Sequence, residues 1–206
     1  MEPPSSADSA PAALHAVVLA AGASTRFGSP KQLVRVQGRP LLHRAVAQAA
    51  EIAGQGVLVV LGAHAAELAP LLRHSSASVI VNREWSEGLG SSIRSAIAHV
   101  PASCDGVLLL LADQAAVTVG DLERLRGAWR RQPEWIAASR YESTVGVPAI
   151  FPRSLFSELA ALRGDRGARD LLRRHCDRVI GVGLANAAID IDTPEDLLRL
   201  PPVPHA

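Results

Sequence analysis

The chain has 206 residues, 48% of them apolar but only 3% aromatic, so its interior must be built from Leu, Val, Ile and Ala. Basic residues number 21 against 20 acidic ones, a formal net charge of +1, which gives no case for a nucleic-acid or membrane partner and makes any anion selectivity local. Cys104 and Cys176 show no metal-site spacing, which speaks against a zinc site and fits a reducing cytoplasm.

Residues 1–13, rich in Pro, Ser and Ala, are expected to form a disordered tail. Residues 14–200 are expected to form a single domain, and the Pro-rich residues 201–206 a frayed end. The run Leu14–Ala23 has the length of a signal-peptide core, but no Lys or Arg precedes it and it continues directly into a polar loop. No apolar stretch approaches the ~20 residues that span a bilayer. These features predict a soluble, cytoplasmic protein.

In chain order, short apolar runs alternate with amphipathic segments, the pattern of βαβ units around a largely parallel sheet. Strands are predicted at His15–Ala20, Val57–Leu61, Ser78–Val81, Gly106–Leu111, Trp135–Ser139 and Val147–Phe151. Helices are predicted at Pro40–Ala53, Ala63–Arg73, Ser91–His99, Val119–Arg131, Arg153–Ala161, Ala168–His175 and Pro194–Leu200. Val179–Val182 and Ala187–Ile191 read as later short strands. The run Val107–Leu111 has no alternation, as expected of a central strand covered on both faces.

The first strand empties into Ala20-Ala21-Gly22-Ala23-Ser24-Thr25-Arg26-Phe27-Gly28-Ser29-Pro30-Lys31. A loop of small residues lets backbone N–H groups approach a polyphosphate, and Arg26 and Lys31 can neutralise its charge. Neither G-x-G-x-x-G nor G-x-x-x-x-G-K-[ST] is present, so the loop belongs to another class of phosphate site. Ligands of open parallel sheets bind outside the carboxyl ends of strands. The loop, Asn82 and Asp113 follow the first, third and fourth predicted strands, and so should converge on one rim.

The acidic residues allow two readings each. Asp113 fits a turn or a cap but lies several residues before the helix at Val119, too far for a simple N-cap. Asp190 and Asp192 alternate on a strand-like segment, so both should point the same way. Two like-facing carboxylates repel unless a cation or hydrogen bonds compensate. The sequence Asp192-Thr193-Pro194-Glu195 also fits a helix start. Asn82 closes a strand and can form a turn or read a base or ribose edge. Gly88, Gly90, Ser91 and Ser92 open a helix whose free N–H groups suit a base, ribose or phosphate, with capping by Ser91 as the structural alternative. His43, His64, His74, His99 and His175 share no ligand spacing and read as surface or satisfied side chains.

The stretch Leu19–Lys31 resembles the L-A-A-G-x-S-x-R-[FM]-G-x-x-K signature of nucleotidyltransferases, most closely the molybdenum cofactor cytidylyltransferases. The resemblance recurs at Asn82–Ser92, Leu111–Gln114, Gly146–Pro148, Gly164–Arg169 and Asp190–Asp196. It implies a three-layer α/β/α Rossmann-like fold and a Mg²⁺-dependent transfer of CMP from CTP, or of a nucleotide from another NTP, to a phosphorylated small molecule such as molybdopterin. Sugar phosphates and methylerythritol phosphate serve other relatives with this loop. A transient contact with a molybdoenzyme or its chaperone fits the same resemblance.

Carried over residue by residue, the resemblance makes Arg26, Lys31 and Asp113 the catalytic set. Arg26 would grip the β- and γ-phosphates and Lys31 would contact the α-phosphate. Ala20, Ala21, Gly22, Ala23, Ser24, Asn82, Gly88 and Ser91 would join the two cations in nucleotide binding, and Asp113 with Asp192 or Asp190 would hold Mg²⁺. Ala20-Ala21-Gly22 matches cytidylyl-transferring relatives, whereas guanylyl-transferring ones tend to carry Leu-Ala-Gly-Gly. Two positions depart from the pattern: Ala115 stands where Pro is common and Val147 where His is usual. A non-catalytic cofactor-binding module is the reading from another class. The presence of Arg26, Lys31, Asp113 and Asp192 together favours the enzyme.

Overall fold

A computed structural model describes residues 12–165 and 167–200; the expected tail residues 1–11, Arg166 and residues 201–206 lie outside them. Strand β1 (Leu14–Ala20) leads through the polar loop into a small ribbon, β2 (Arg35–Val36) and β3 (Arg39–Pro40), and then helix α1 (Leu41–Ala53). Next come β4 (Val57–Leu61), α2 (Ala65–Leu68), β5 (Ser78–Val81), α3 (Leu89–Ile97), β6 (Gly106–Leu111) and α4 (Val119–Arg131). The chain ends with β7 (Ile136–Tyr141), β8 (Thr144–Pro152), α5 (Phe156–Ala160), α6 (Ala168–Arg174) and β9 (Val179–Gly183), followed by short 3-10 turns.

Seven strands form one sheet in the order β5-β4-β1-β6-β8-β7-β9. All neighbours are parallel except β8, which runs antiparallel to both β6 and β7. The expected three-layer α/β/α fold with a largely parallel sheet is therefore the one observed.

The two-residue period of a strand sends neighbouring side chains into opposite layers. Val18 and Leu108 pack with Leu42 of α1 and Leu122 and Trp129 of α4. Val17 and Leu109 pack on the other face with Ile93 of α3, Leu159 of α5 and Leu171 of α6. Covered on both sides, β6 buries Val107, Leu108, Leu109 and Leu110 almost completely, which is why its sequence shows no alternation.

Several boundaries differ from expectation for local reasons. The helix expected over Ala63–Arg73 is α2 followed by a 3-10 turn, Ala69–Leu72, because Pro70 has no N–H to donate into an α-helical ladder. The segment expected to be a strand at Ala187–Ile191 is a 3-10 turn, Ala185–Ala188, followed by irregular chain. The chain does not add to the outer edge of β9 but crosses back, so that Ile191 N–H donates to Asp113 O at 3.1 Å. Pro194–Arg199 is likewise a 3-10 turn, begun by a capping box between Thr193 and Asp196.

Candidate active site

The loop after β1 is held from behind. Gln32, 2% exposed, donates its side-chain amide to the carbonyls of Ala20 at 3.1 Å and Gly22 at 3.2 Å. His64 Nε2 donates to Ala23 O at 3.0 Å. A trans peptide points its N–H opposite its C=O, so anchoring the Gly22 and Ala23 carbonyls turns the N–H groups of Ala23 and Ser24 the other way. Ser24 adopts φ of 54°, and its hydroxyl accepts from Lys31 N–H at 3.2 Å, which closes the loop on itself.

This loop, the ends of β1 and β6 and the start of α3 enclose a cavity of about 340 Å³. Along its lining, charges form a chain. The Lys31 ammonium lies 2.5 Å from Asp113 Oδ2 and 2.8 Å from Asp192 Oδ1, and Arg26 Nη2 lies 2.8 Å from Asp192 Oδ2. Lys31 is 15% exposed, whereas Arg26 is 72% exposed and can follow a ligand.

Burial disfavours the Lys31 charge, but Asp113 and Asp192 outweigh it and hold the ammonium above its ordinary pKa. The Lys31 hydrogen bond, aided by the Lys31 and Arg26 charges against partial burial, holds the Asp192 carboxyl below the usual range. Asp190 goes the other way. Desolvation first, then the charges of Asp113 and Asp192, push it up to about 6, although the residue remains exposed on one side. Its strand-like alternation with Asp192 rests on no strand, yet the turn still brings three carboxylates together.

Of the residues expected at the site, Ala20, Ala21, Gly22, Ser24, Arg26, Lys31, Gly88, Asp113 and Asp192 line the cavity. Ala23, Asn82, Ser91 and Asp190 do not. Asn82 is buried, and its amide is taken up locally: Nδ2 donates to Ser91 Oγ at 2.8 Å and Ser92 Oγ at 3.1 Å, while Oδ1 accepts from Glu84 N–H at 3.0 Å. Ser91 donates to Glu84 O and Gly88 O. Both residues thus brace the turn that carries Gly88 to the cavity wall. The expected loop Gly164–Arg169, apart from Arg166, packs beside that turn, with Gly90 N–H donating to Gly164 O at 3.0 Å.

Gln32, His64, Gly62 and Trp85 were not among the expected site residues. An ideal Cβ on Gly62 would lie 2.5 Å from Ala21 O and 2.6 Å from Trp85 Cβ, so only glycine lets the loop and Trp85 close on each other. The side-chain amide next to Lys31 was the available signal for Gln32. Nothing local in the sequence marks Gly62.

Among the described residues, no group of three or more His, Cys, Asp or Glu is placed to hold a metal. Asp113 Oδ1, however, is buried without a hydrogen-bond partner. Mg²⁺ is commonly bound through one or two carboxylates together with substrate phosphates, and Asp113 with Asp192 beside the small-residue loop fits that donor set.

The architecture is that of the NTP transferases. The chain belongs to the family described as the MobA-like NTP transferase domain, whose family model matches residues 16–179. It is 32% identical over 198 residues to the nicotine blue oxidoreductase of Paenarthrobacter nicotinovorans, covering 89% of this chain and 94% of that one. It is 30% identical over 196 residues to the purine catabolism protein PucB of Bacillus subtilis, covering 87% and 92%. Among solved structures, Rv0371c of Mycobacterium tuberculosis superposes with a TM-score of 0.78 at 29% identity, over 92% of this chain and 97% of that one. The same protein is also known as a manganese complex, with a TM-score of 0.75 at 27% identity and coverage of 91% and 97%.

Proposed function

We propose that the protein is a Mg²⁺-dependent nucleotidyltransferase that moves CMP from CTP to the terminal phosphate of molybdopterin cofactor and releases pyrophosphate. The observation that carries this reading is the ion-paired chain of Lys31 and Arg26 with Asp113 and Asp192 lining a cavity that the small-residue loop also lines.

In the reaction an acceptor phosphate oxygen bonds to the α-phosphorus of CTP. The bond from that phosphorus to the oxygen bridging to the β-phosphate breaks, and the electron pair leaves with pyrophosphate. Such a transfer needs alignment and charge stabilisation more than covalent chemistry from the protein. The loop N–H groups and Arg26 bind and orient the triphosphate. Lys31 exchanges its carboxylate partners for α-phosphate oxygens as negative charge grows on them. Asp113 and Asp192 would hold Mg²⁺, which would supply neutralisation of the phosphate charge.

The β-methyl of Ala21, on the cavity wall, supports a pyrimidine by narrowing the base end. Ala21→Gly is expected to broaden use toward GTP. The deciding assay is pyrophosphate release from CTP, GTP, ATP and UTP with Mg²⁺, with and without molybdenum cofactor or a sugar phosphate. Release only with CTP and the cofactor supports the reading, and release with another acceptor would reassign the substrate. Nucleotide binding without release in any mixture would favour the non-catalytic module.

A redox reading has one observation behind it, the likeness to an oxidoreductase over nearly the whole chain. Its test is reduction of nicotine blue by a reduced nicotinamide cofactor. Turnover there, with no pyrophosphate released, would replace the transferase assignment.

A further inference from the structure

The cavity is not lined by charge alone. Besides the Lys31 and Asp192 chain, its walls include the apolar side chains of Leu19, Ala21, Trp85, Leu89 and Leu111. Among the described residues lining the cavity Trp85 is the one aromatic, in a chain with few aromatics, and it remains 36% exposed. A large apolar side chain left open beside a cavity loses the benefit of burial unless a ligand covers it.

The turn that carries Trp85 is pinned from several directions. Glu84 N–H donates to Asn82 Oδ1 at 3.0 Å, and Gly88 N–H donates to Trp85 O at 3.1 Å. The Arg94 guanidinium reaches Glu84 at 2.8 Å, Glu87 at 2.9 Å and the Leu162 carbonyl at 2.9 Å. Gly62 then allows Trp85 Cβ to pack close to Ala21, at the beginning of the loop whose later residues are Arg26 and Lys31. A nucleotide whose phosphates meet Arg26 and Lys31 has its base left to the apolar part of the lining, of which Trp85 is the largest side chain. An aromatic ring held by a rigid turn can cover a flat heteroaromatic surface at little entropic cost.

Resting on the nucleotidyltransferase reading, we propose that Trp85 is the nucleobase platform of this protein, stacking on the base of the bound NTP. Arg94 and Gly62 are its positioning residues. Base–aromatic stacking spans roughly 5- to 150-fold in affinity when the ring is removed.

The test is calorimetric binding of CTP, CMP and inorganic triphosphate to the full chain, to Trp85→Ala and to Trp85→Phe, with circular dichroism confirming the fold. Trp85→Ala should weaken CTP and CMP by the same factor within that range and leave inorganic triphosphate unchanged. Trp85→Phe should stay within a few-fold of the parent. In addition, CTP but not triphosphate should change the tryptophan emission of the parent, and Trp85→Phe should lack that change.

Unchanged CTP and CMP affinity in Trp85→Ala overturns the proposal, as does an equal loss for triphosphate. A rise confined to the acceptor's KM also overturns it and moves the ring to the acceptor side. If those results come from a protein that still releases pyrophosphate, only the platform falls. If the parent binds no nucleotide at all, the transferase reading falls with it.

Discussion

Lys31 shows how much one side chain can hold. Its ammonium bridges a carboxylate that follows β6 and another on the turn after β9, so two distant parts of the chain meet through it. If Lys31 acts as proposed, Lys31→Ala should lower turnover by about 10²–10³-fold while changing nucleotide affinity far less, because its contact would strengthen as charge develops on the phosphates. Equal losses in kcat and affinity would make Lys31 a simple anchor.

Asp190 supplies a pH test. Its pKa, up to about 6, stands above the unfolded value of 3.8, so the folded chain holds more protons between the two. Stability should therefore decline as pH rises from about 4 to about 6. Asp190→Asn should flatten that decline and stabilise the ligand-free protein at pH 7 in urea melts. Two units in full would be ~3 kcal/mol, but the residue is exposed on one side, so a gain on the order of 1 kcal/mol is expected after screening.

At the scale of elements, α4 depends on its first turn. Thr118 Oγ1 accepts from Asp121 N–H at 3.2 Å, and Asp121 Oδ2 accepts from Thr118 N–H at 3.0 Å. The same carboxylate accepts from Asn186 Nδ2 at 3.0 Å and is paired with Arg124 at 2.6 Å. Burial opposes its charge, yet these bonds hold the Asp121 carboxyl below the usual range. Its contribution is thus present above pH 4 and lost as pH falls through the lowered value. Asp121→Ala should cost about 1–2 kcal/mol near neutrality by chemical denaturation, and less in strong acid.

The elements themselves were largely legible in the sequence. Val119–Arg131, Val57–Leu61, Ser78–Val81 and Gly106–Leu111 stand where the pattern placed them. The failures are non-local. Ala187–Ile191 alternates like a strand, but the chain there crosses back to Asp113 rather than pairing along β9, a long-range contact that no local pattern reports. Asn82 at a strand end invites a ligand role, and only the fold reveals Ser91 and Ser92 beneath its amide. The charged cluster was readable because Arg26, Lys31, Asp113 and Asp192 each carry chemistry in their side chains. Gly62 matters through an absent side chain, and no pattern reports that.

For the whole molecule, stability is divided between two layers that share one sheet. Leu108 and Leu109 are both fully buried but face opposite layers, so each tests one layer separately. Leu108→Ala and Leu109→Ala should each cost about 2–5 kcal/mol in urea denaturation, a large fraction of the 5–15 kcal/mol typical of a domain. A negligible cost at either position would mean that its layer collapses around the gap.

The middle ladder also sets a kinetic condition. β1 lies between β4 and β6, and its register sets Leu14 opposite Gly106, so the strands that carry Ala20 and Asp113 to the same mouth join only after a very long segment has been drawn in. Long-range pairing of this kind loses chain entropy before any ladder bond forms, which makes it slow. Trp129 packs against Gly106 at the start of β6 and can serve as a clock for that event. In stopped-flow refolding, any capacity to bind the proposed nucleotide should return no sooner than the burial of Trp129.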